Sequence, residues 1–270
     1  MNHVKLQILV ATFKKEGLER LATVNLPEIN DVEYIISCQN PLGNEIGIPD
    51  SLLRPDIKIY FSNTKGLSRN RNILLQLASA PLCLIADDDL VFLPEGLKKL
   101  IETFDNNPDL DIATFKYSIP GGGTEKEYPT YPFYLDKPAK GYYLTSFEIA
   151  FRREAVKKTG VLFNENFGIG APLYGCGEED IWMASLLKKK LKGMFFPIFI
   201  AQHQGETTGI RNAAKPEVLR AQGLIIRNFY PLSSFPRIFL KAYRTSKATG
   251  TGILFCIKHL FSGWIKKIKL

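Results

Sequence analysis

Apolar runs of strand length alternate with helix-length segments through the first part of this chain, and that alternation limits its possible folds more than any other feature. The runs cover residues 4–12, 32–38 (VEYIISC), 57–62 (IKIYFS) and 82–86 (LCLIA). Between the third and fourth runs lies segment 67–79, where Ile73, Leu74, Leu77 and Ala78 fall at helical spacing. Segment 94–104 is a further helix, with Pro94 and Glu95 in its first turn as helix starts prefer. Residues 112–117 return to strand. Such an order predicts a mainly parallel, doubly wound α/β sheet that offers its ligands the carboxyl ends of its strands. The 270 residues are enough to bury a full core of this kind.

The middle of the chain has a different texture. Residues 118–141, rich in Gly, Pro and Tyr and including Gly121-Gly122-Gly123, read as a long surface excursion. Segments 142–152 and 193–201 are strand candidates, parted by a helix over 178–191. The expected organisation is a nucleotide-binding half at 1–115, an acceptor-facing half of the same domain at 116–215, and a basic, partly amphipathic helical tail at 216–270.

Charge is distributed unevenly along this plan. No Asp or Glu follows Glu217, whereas that tail holds ten Lys or Arg. Set against the chain's net +8, the tail's cations leave residues 1–217 at about −2. A body near neutrality disfavours nucleic acid as a partner of the whole fold, and a basic tail suits anionic lipid. Leu254, Ile257, Phe261, Trp264, Ile265 and Ile268 share one helical face, with Lys258, Lys266 and Lys269 between them. Either this face enters a membrane interface through residues 250–270, or it packs back on the protein with a solvated basic side. No apolar run reaches the 18 residues of a membrane span, and the N-terminal MNHVKLQILVATFKKEG reads as a first strand, not a signal peptide. The four cysteines, Cys38, Cys83, Cys176 and Cys256, form no CxxC pair, which fits a reducing cytosol. The expected location is cytoplasmic, peripheral at the inner face of the plasma membrane.

Four motifs carry candidate chemistry. In Leu84-Ile85-Ala86-Asp87-Asp88-Asp89 a buried strand runs into three carboxylates, a costly arrangement unless a cation neutralises them. Mg²⁺ or Mn²⁺, which take oxygen ligands and share them with phosphates, would do so; an acidic turn capping the next segment is the plainer reading. Lys65-Gly66-Leu67-Ser68-Arg69-Asn70-Arg71-Asn72 opens a helix whose N-terminus attracts anions, and Arg69 or Arg71 offers a fork of donors to a phosphate or base edge. Gly175-Cys176-Gly177-Glu178-Glu179-Asp180 places acids at a helix start, where the macrodipole favours them and where one carboxylate is also able to take a proton from a hydroxyl. His203 ends a strand candidate; a hydrogen-bonded strand-end histidine is its plainer reading and completion of a Mn²⁺ shell the functional one, and the loop at 205–209 is suited to closing over a donor.

Taken in order, these motifs resemble family 2 glycosyltransferases of the GT-A fold over about residues 4–205. The first strand's Ala11-Thr12-Phe13-Lys14 end, Gly66 with Arg71-Asn72, Asp87-x-Asp89, Glu179-Asp180 and His203 carry the resemblance. It implies a GT-A, Rossmann-like, mixed and mostly parallel sheet flanked by helices. It also implies an inverting transfer of a sugar from a nucleotide-sugar donor to a glycan or lipid-linked acceptor, in the setting of bacterial surface polysaccharide. By resemblance, Phe13 lies beside the base, Arg71 near the base or diphosphate, and Asp87 toward the ribose, with Thr12, Gln39, Gly66 and Asp88 on the same nucleotide-sugar side. Asp89 ligates Mn²⁺ or Mg²⁺ and His203 contacts the metal or diphosphate. Asp180, and after it Glu179, is the base. Where members often carry Asp-Asp after the second strand, this chain has Cys38-Gln39-Asn40-Pro41 and lacks that nucleotide anchor; Gln39 is still able to hydrogen-bond a uracil edge, and the resemblance favours UDP. A glycoside hydrolase shares the need for paired carboxylates but not for a triple-Asp motif or a phosphate-gripping helix start. A nucleotide- or glycan-binding module without catalysis is the third class.

Overall fold

The structure, a computed structural model, describes residues 4–204 and 212–268. The loop at 205–209 expected to close over a donor lies outside the described residues. The described residues divide into two compact units, one of 4–65, 69–162 and 183–204, the other of 66–68, 163–182 and 212–268.

The first unit is built on a nine-stranded mixed sheet. Its strands are β1 (Leu6–Phe13), β2 (Val32–Gln39), β3 (Ile57–Ser62), β4 (Leu82–Asp87), β5 (Leu90–Phe92), β6 (Ile112–Ser118), β7 (Phe133–Tyr134), β8 (Ile149–Arg152) and β9 (Gly193–His203). They run in the order β3-β2-β1-β4-β8-β6-β9-β5, with β7 added on β9. The first four are mutually parallel, as the alternation of runs and helices leads one to expect. β1 buries seven of its eight residues between parallel neighbours β2 and β4, and strands buried on both faces read as continuous apolar runs. Register does the rest: Phe13 pairs with Gln39 and Ala11 with Asp87, so residues distant in sequence end on one edge of the sheet.

Helices α1 (Lys14–Val24), α3 (Pro94–Asn106) and α4 (Arg153–Thr159) belong to this unit, while α2 (Leu67–Leu77) and α5 (Glu178–Lys188) each begin in the second unit. α3 shows why such a segment folds as it does. Pro94 occupies its first turn, and Leu97, Leu100, Ile101 and Phe104 repeat at helical spacing to form one buried stripe in the main core.

Two segments depart from the sequence-based expectation. Residues 118–141 are not wholly a surface excursion: Lys126 turns inward, and its Nζ donates to Glu148 Oε2 at 2.6 Å, Thr145 Oγ1 at 2.9 Å and the Tyr143 carbonyl at 2.9 Å. A lysine tolerates burial only when paired and hydrogen-bonded, and its partner lies in a later segment. Segment 142–152 is strand only from Ile149, because Thr145 and Glu148 cap each other reciprocally and wind Ser146–Glu148 into a 3-10 turn.

In the second unit, α6 (Pro216–Phe229), α7 (Ser234–Thr249) and α8 (Ile253–Trp264) pack around Leu219, Ile238, Ala242, Cys256 and Leu260. Reciprocal glycines allow α6 and α8 to touch: a Cβ on Gly223 would overlap the Leu260 carbonyl, and one on Gly263 the Arg220 carbonyl. The apolar face read in the tail is therefore divided. Ile257, Phe261 and Trp264 pack against this cluster, whereas Leu254 and Ile265 remain exposed. Among the described residues no helix is long and apolar enough to cross a membrane.

Candidate functional site

The acidic motif divides into three different environments, one per carboxylate. Asp88 is buried and points inward, where Thr12 Oγ1 donates to Oδ2 and Arg20 closes a two-pronged bridge, Nε to Oδ1 at 3.0 Å and Nη2 to Oδ2 at 3.0 Å. Gly17 makes room for this knot, since a Cβ there would collide with Thr12 Oγ1 and crowd Asp88 Oδ2. Asn70 ties the neighbouring strand ends, its Nδ2 donating to the carbonyls of Thr12 at 3.1 Å and Ser37 at 2.9 Å.

Asp87 stands at the edge with its side chain 31% exposed, and Arg71 holds it from behind. The Arg71 residue is 1% exposed; its Nη2 donates to Asp87 Oδ1 at 2.9 Å and to Ser146 Oγ at 2.8 Å. Burial pushes the Asp87 carboxyl above its ordinary range, a push that the Arg71 charge opposes.

Asp89 meets His203 through register. Leu90 pairs with His203 across β5 and β9, and the Gln204 amide donates to the Asp89 carbonyl at 3.1 Å, which brings His203 Nε2 to 3.3 Å from Asp89 Oδ2. Burial works against both charges, but their mutual hydrogen bond prevails: the Asp89 carboxyl lies below its ordinary value and the His203 imidazole above. Phe147 stacks on the imidazole at 5.4 Å and 6°, and Tyr117 meets it edge-on at 6.0 Å. Glu125 Oε1 lies 3.9 Å from His203 Nδ1, and Tyr117 donates its hydroxyl to Glu125 Oε2 at 3.0 Å.

The donor set suits a hard divalent cation. Asp89 Oδ1 is buried without a hydrogen-bond partner, a state that buried polar atoms rarely keep. Adjacent ligands of an octahedral Mg²⁺ or Mn²⁺, held at about 2.1 Å, stand about 3 Å apart. The 3.3 Å between Asp89 Oδ2 and His203 Nε2 matches two such positions. No group of three or more His, Cys, Asp or Glu forms a complete cage among the described residues. An ion that keeps waters and substrate phosphates in its shell needs only one or two protein ligands.

Along the same edge, Phe13 exposes 38% of its surface at the end of β1. Beside it Lys14 adopts a left-handed backbone, φ 58°, and holds its Nζ 5.1 Å from the Phe13 ring centre. A non-glycine residue in that region stores strain of a kind that gathers at functional sites. Gln39 is buried, and its amide donates to Thr64 Oγ1 at 2.8 Å.

Gly66, Glu179 and Asp180 lie in the second unit. Gly66 takes φ 111° where α2 begins, and the Leu67 amide donates to the Ile169 carbonyl at 2.9 Å. Ser68 Oγ donates to the Phe167 carbonyl at 2.6 Å. Glu178, Glu179 and Asp180 form the first turn of α5, Glu178 buried and the other two half-buried. Gly168, at φ 98°, gives the Glu178 carboxyl its space, as a Cβ there would stand 3.2 Å from it.

Sequence reasoning did not single out Gly17, Arg20, Glu125 or Ser146, and it gave Asn70 no role within its motif. An arginine and a glycine soon after a strand carry no motif, and Glu125 sits in a stretch read as surface. The pairing of a lone histidine with the last Asp of the motif was the one accessible signal.

Residues 47–160 match the family model described as Glycosyl transferase family 2. No curated protein sequence matches the chain. Among solved structures, S. aureus TarS 1-349 is similar in fold, with a TM-score of 0.60 and 16% identity over 91% of this chain and 74% of that one. The crystal structure of TarS 1-349 in complex with UDP gives 0.55 and 17% identity over 92% and 72% of the two chains. The complex with UDP-GlcNAc gives 0.54 and 17% over 92% and 73%.

Proposed function

We propose, on the premise that the chain belongs to glycosyl transferase family 2 through residues 47–160, that it transfers a sugar from a nucleoside-diphosphate sugar to a hydroxyl of a glycan or lipid-linked glycan. UDP is the favoured nucleotide, supported by the similarity to TarS structures holding UDP and UDP-GlcNAc. The observation that carries the reading is the Asp89–His203 pair, two metal-type donors 3.3 Å apart with an unsatisfied Asp89 oxygen.

In this reading Asp89 and His203 would hold Mg²⁺ or Mn²⁺ on the diphosphate side of the site. When bound, the ion would supply positive charge against a departing nucleoside diphosphate. Phe13 stacks on the base, Gln39 offers its amide group to a uracil edge, and Asp87 accepts from the ribose. Arg71 fixes the Asp87 carboxylate, while Thr12 acts through Asp88 to shape the strand end. Gly66 sets the start of α2 on the nucleotide-sugar side.

Asp180, with Glu179 the second candidate, takes the proton of the acceptor hydroxyl. The acceptor oxygen bonds to the anomeric carbon as that carbon's bond to the phosphate oxygen breaks, so one displacement inverts the configuration. Assignment to bacterial surface polysaccharide, and to the inner face of the plasma membrane through residues 250–270, is supported by the cationic tail and its exposed Leu254 and Ile265. Residues 1–115 form the donor half, 116–215 the acceptor half and 216–270 the tail.

Equilibrium binding of a panel of nucleotide sugars with and without Mn²⁺ tests the proposal. Asp89→Ala is expected to lose metal-dependent binding, and Asp180→Asn to retain binding but lose turnover. Unchanged metal dependence in Asp89→Ala would remove the metal assignment.

A further inference from the structure

The helix α7 carries its amphipathicity the wrong way round for a packed helix. Its inward stripe is Ser234, Ile238, Ala242 and Thr245, mostly small or hydroxylated residues. Its outward stripe holds Phe235, Phe239, Leu240 and Tyr243, with Phe235 and Tyr243 each 56% exposed. Large apolar side chains gain about 1.5–3 kcal/mol on full burial, so a fold that turns them outward leaves much of that gain unused.

The outward rings also join α8. Phe235 lies 5.2 Å from Phe239 and 5.9 Å from Phe261, and Phe261 lies 5.6 Å from Trp264. Phe235 and Phe239 thus form an exposed aromatic patch whose inner edge rests on the half-buried Phe261 and Trp264, larger than scattered single residues would give. Leu254, 78% exposed, and Ile265 add aliphatic surface on α8.

Every formal side-chain charge carried by these two helices is positive. Arg237, Arg244 and Lys247 are exposed on α7, as is Lys258 on α8, and no acidic residue occurs after Glu217. The Arg237 guanidinium lies over the Tyr230 ring at 4.1 Å. A second copy of the chain fits poorly, because a two-fold contact would set these cations against themselves. Nucleic acid would satisfy the cations and rings but leave Leu240, Leu254 and Ile265 without a role.

We propose that the outward face of α7, with the aromatic edge of α8, is the surface by which this protein inserts into an anionic lipid bilayer. Phe235, Phe239, Leu240 and Tyr243 enter the acyl boundary, and Arg237, Arg244 and Lys247 meet the headgroups. The inference rests on the reading of the tail as membrane-facing. It moves the principal contact from the end of the chain to α7.

Co-sedimentation of the full chain with phosphatidylcholine vesicles, with and without phosphatidylglycerol, tests it. The wild type is expected to bind the anionic vesicles at least about tenfold more tightly, as several cations near a charged surface imply. Phe235→Ser with Phe239→Ser is expected to weaken that binding about tenfold or more, with the circular dichroism spectrum unchanged. The single exposed Leu240→Glu provides a second variant should the double one misfold, and it too should weaken binding. Leu254→Ser with Ile265→Ser should have a smaller effect. If the α7 variants bind as the wild type does while the α8 pair is released, the α7 assignment fails and the tail reading stands. If the wild type binds neither vesicle, both fail. Equal binding to neutral vesicles overturns the anionic-lipid assignment.

Discussion

Glu125 faces the unbonded Nδ1 of His203 at 3.9 Å while the opposite ring nitrogen lies 3.3 Å from Asp89. At that distance no hydrogen bond forms, and Glu125 acts through its charge, which favours a proton on Nδ1 and leaves Nε2 its lone pair for a metal. Glu125→Gln is therefore expected to lower Mn²⁺ affinity about 10–100-fold. Titration calorimetry or Mn²⁺ electron paramagnetic resonance measures this without turnover, and an unchanged affinity would place Glu125 outside the site.

Adjacent carboxylates should fail in different ways. Asp88 is committed to Thr12 and Arg20, so Asp88→Asn should lower the melting temperature while leaving metal-dependent nucleotide binding. Asp89→Asn should lose metal-dependent nucleotide binding at a smaller cost in melting temperature, since Oδ1 has no hydrogen-bond partner and its amide still reaches His203. Thermal melts and nucleotide titrations on the same two variants separate these outcomes.

The knot around Asp88 depends on a missing side chain. Gly17→Ala drives a Cβ into Thr12 Oγ1. Overpacking of this kind should cost about 1–3 kcal/mol, read from the urea midpoint at constant m-value. A variant as stable as the wild type would mean that α1 shifts freely against the end of β1.

Lys126 and Glu148 form a fully buried pair, with side chains 2% and 0% exposed. Lys126→Met leaves Glu148 with Tyr128 and its cap but no cation, and removal of one partner of such a pair typically costs about 3–5 kcal/mol. Lys126→Met with Glu148→Gln should recover much of the loss. Denaturant unfolding of the single and double variants decides it, and full additivity would show that the two do not interact.

How much of this was readable beforehand depended on whether a residue's partner was local. The parallel strands were legible because burial on both faces writes itself as unbroken apolar runs, as in Leu6–Phe13 and Leu82–Asp87. The capping of Thr145 by Glu148 shortened an expected strand, since both segments look equally apolar until the cap is seen. Arg71 read as a phosphate gripper on the start of a helix, yet its guanidinium is directed to Asp87 and Ser146. Glu125 was illegible in a stretch of Gly, Pro and Tyr, because its meaning comes from a histidine in another strand. The tail helix divided its apolar face for a similar reason: spacing identifies a stripe but not how much of it a neighbouring helix will cover.

The touching glycines of α6 and α8 have a consequence for dissecting the tail. Gly223 faces the Leu260 carbonyl and Gly263 faces that of Arg220, so each helix serves as part of the other's wall. A deletion that removes α8 would uncover Leu219 and Ile238 and strip α6 of its closest neighbour. Loss of membrane fractionation after such a deletion would then record a damaged helical bundle as readily as a lost lipid contact. The last helix is less an appendage than a keystone, and point changes on its outer side are the informative perturbation.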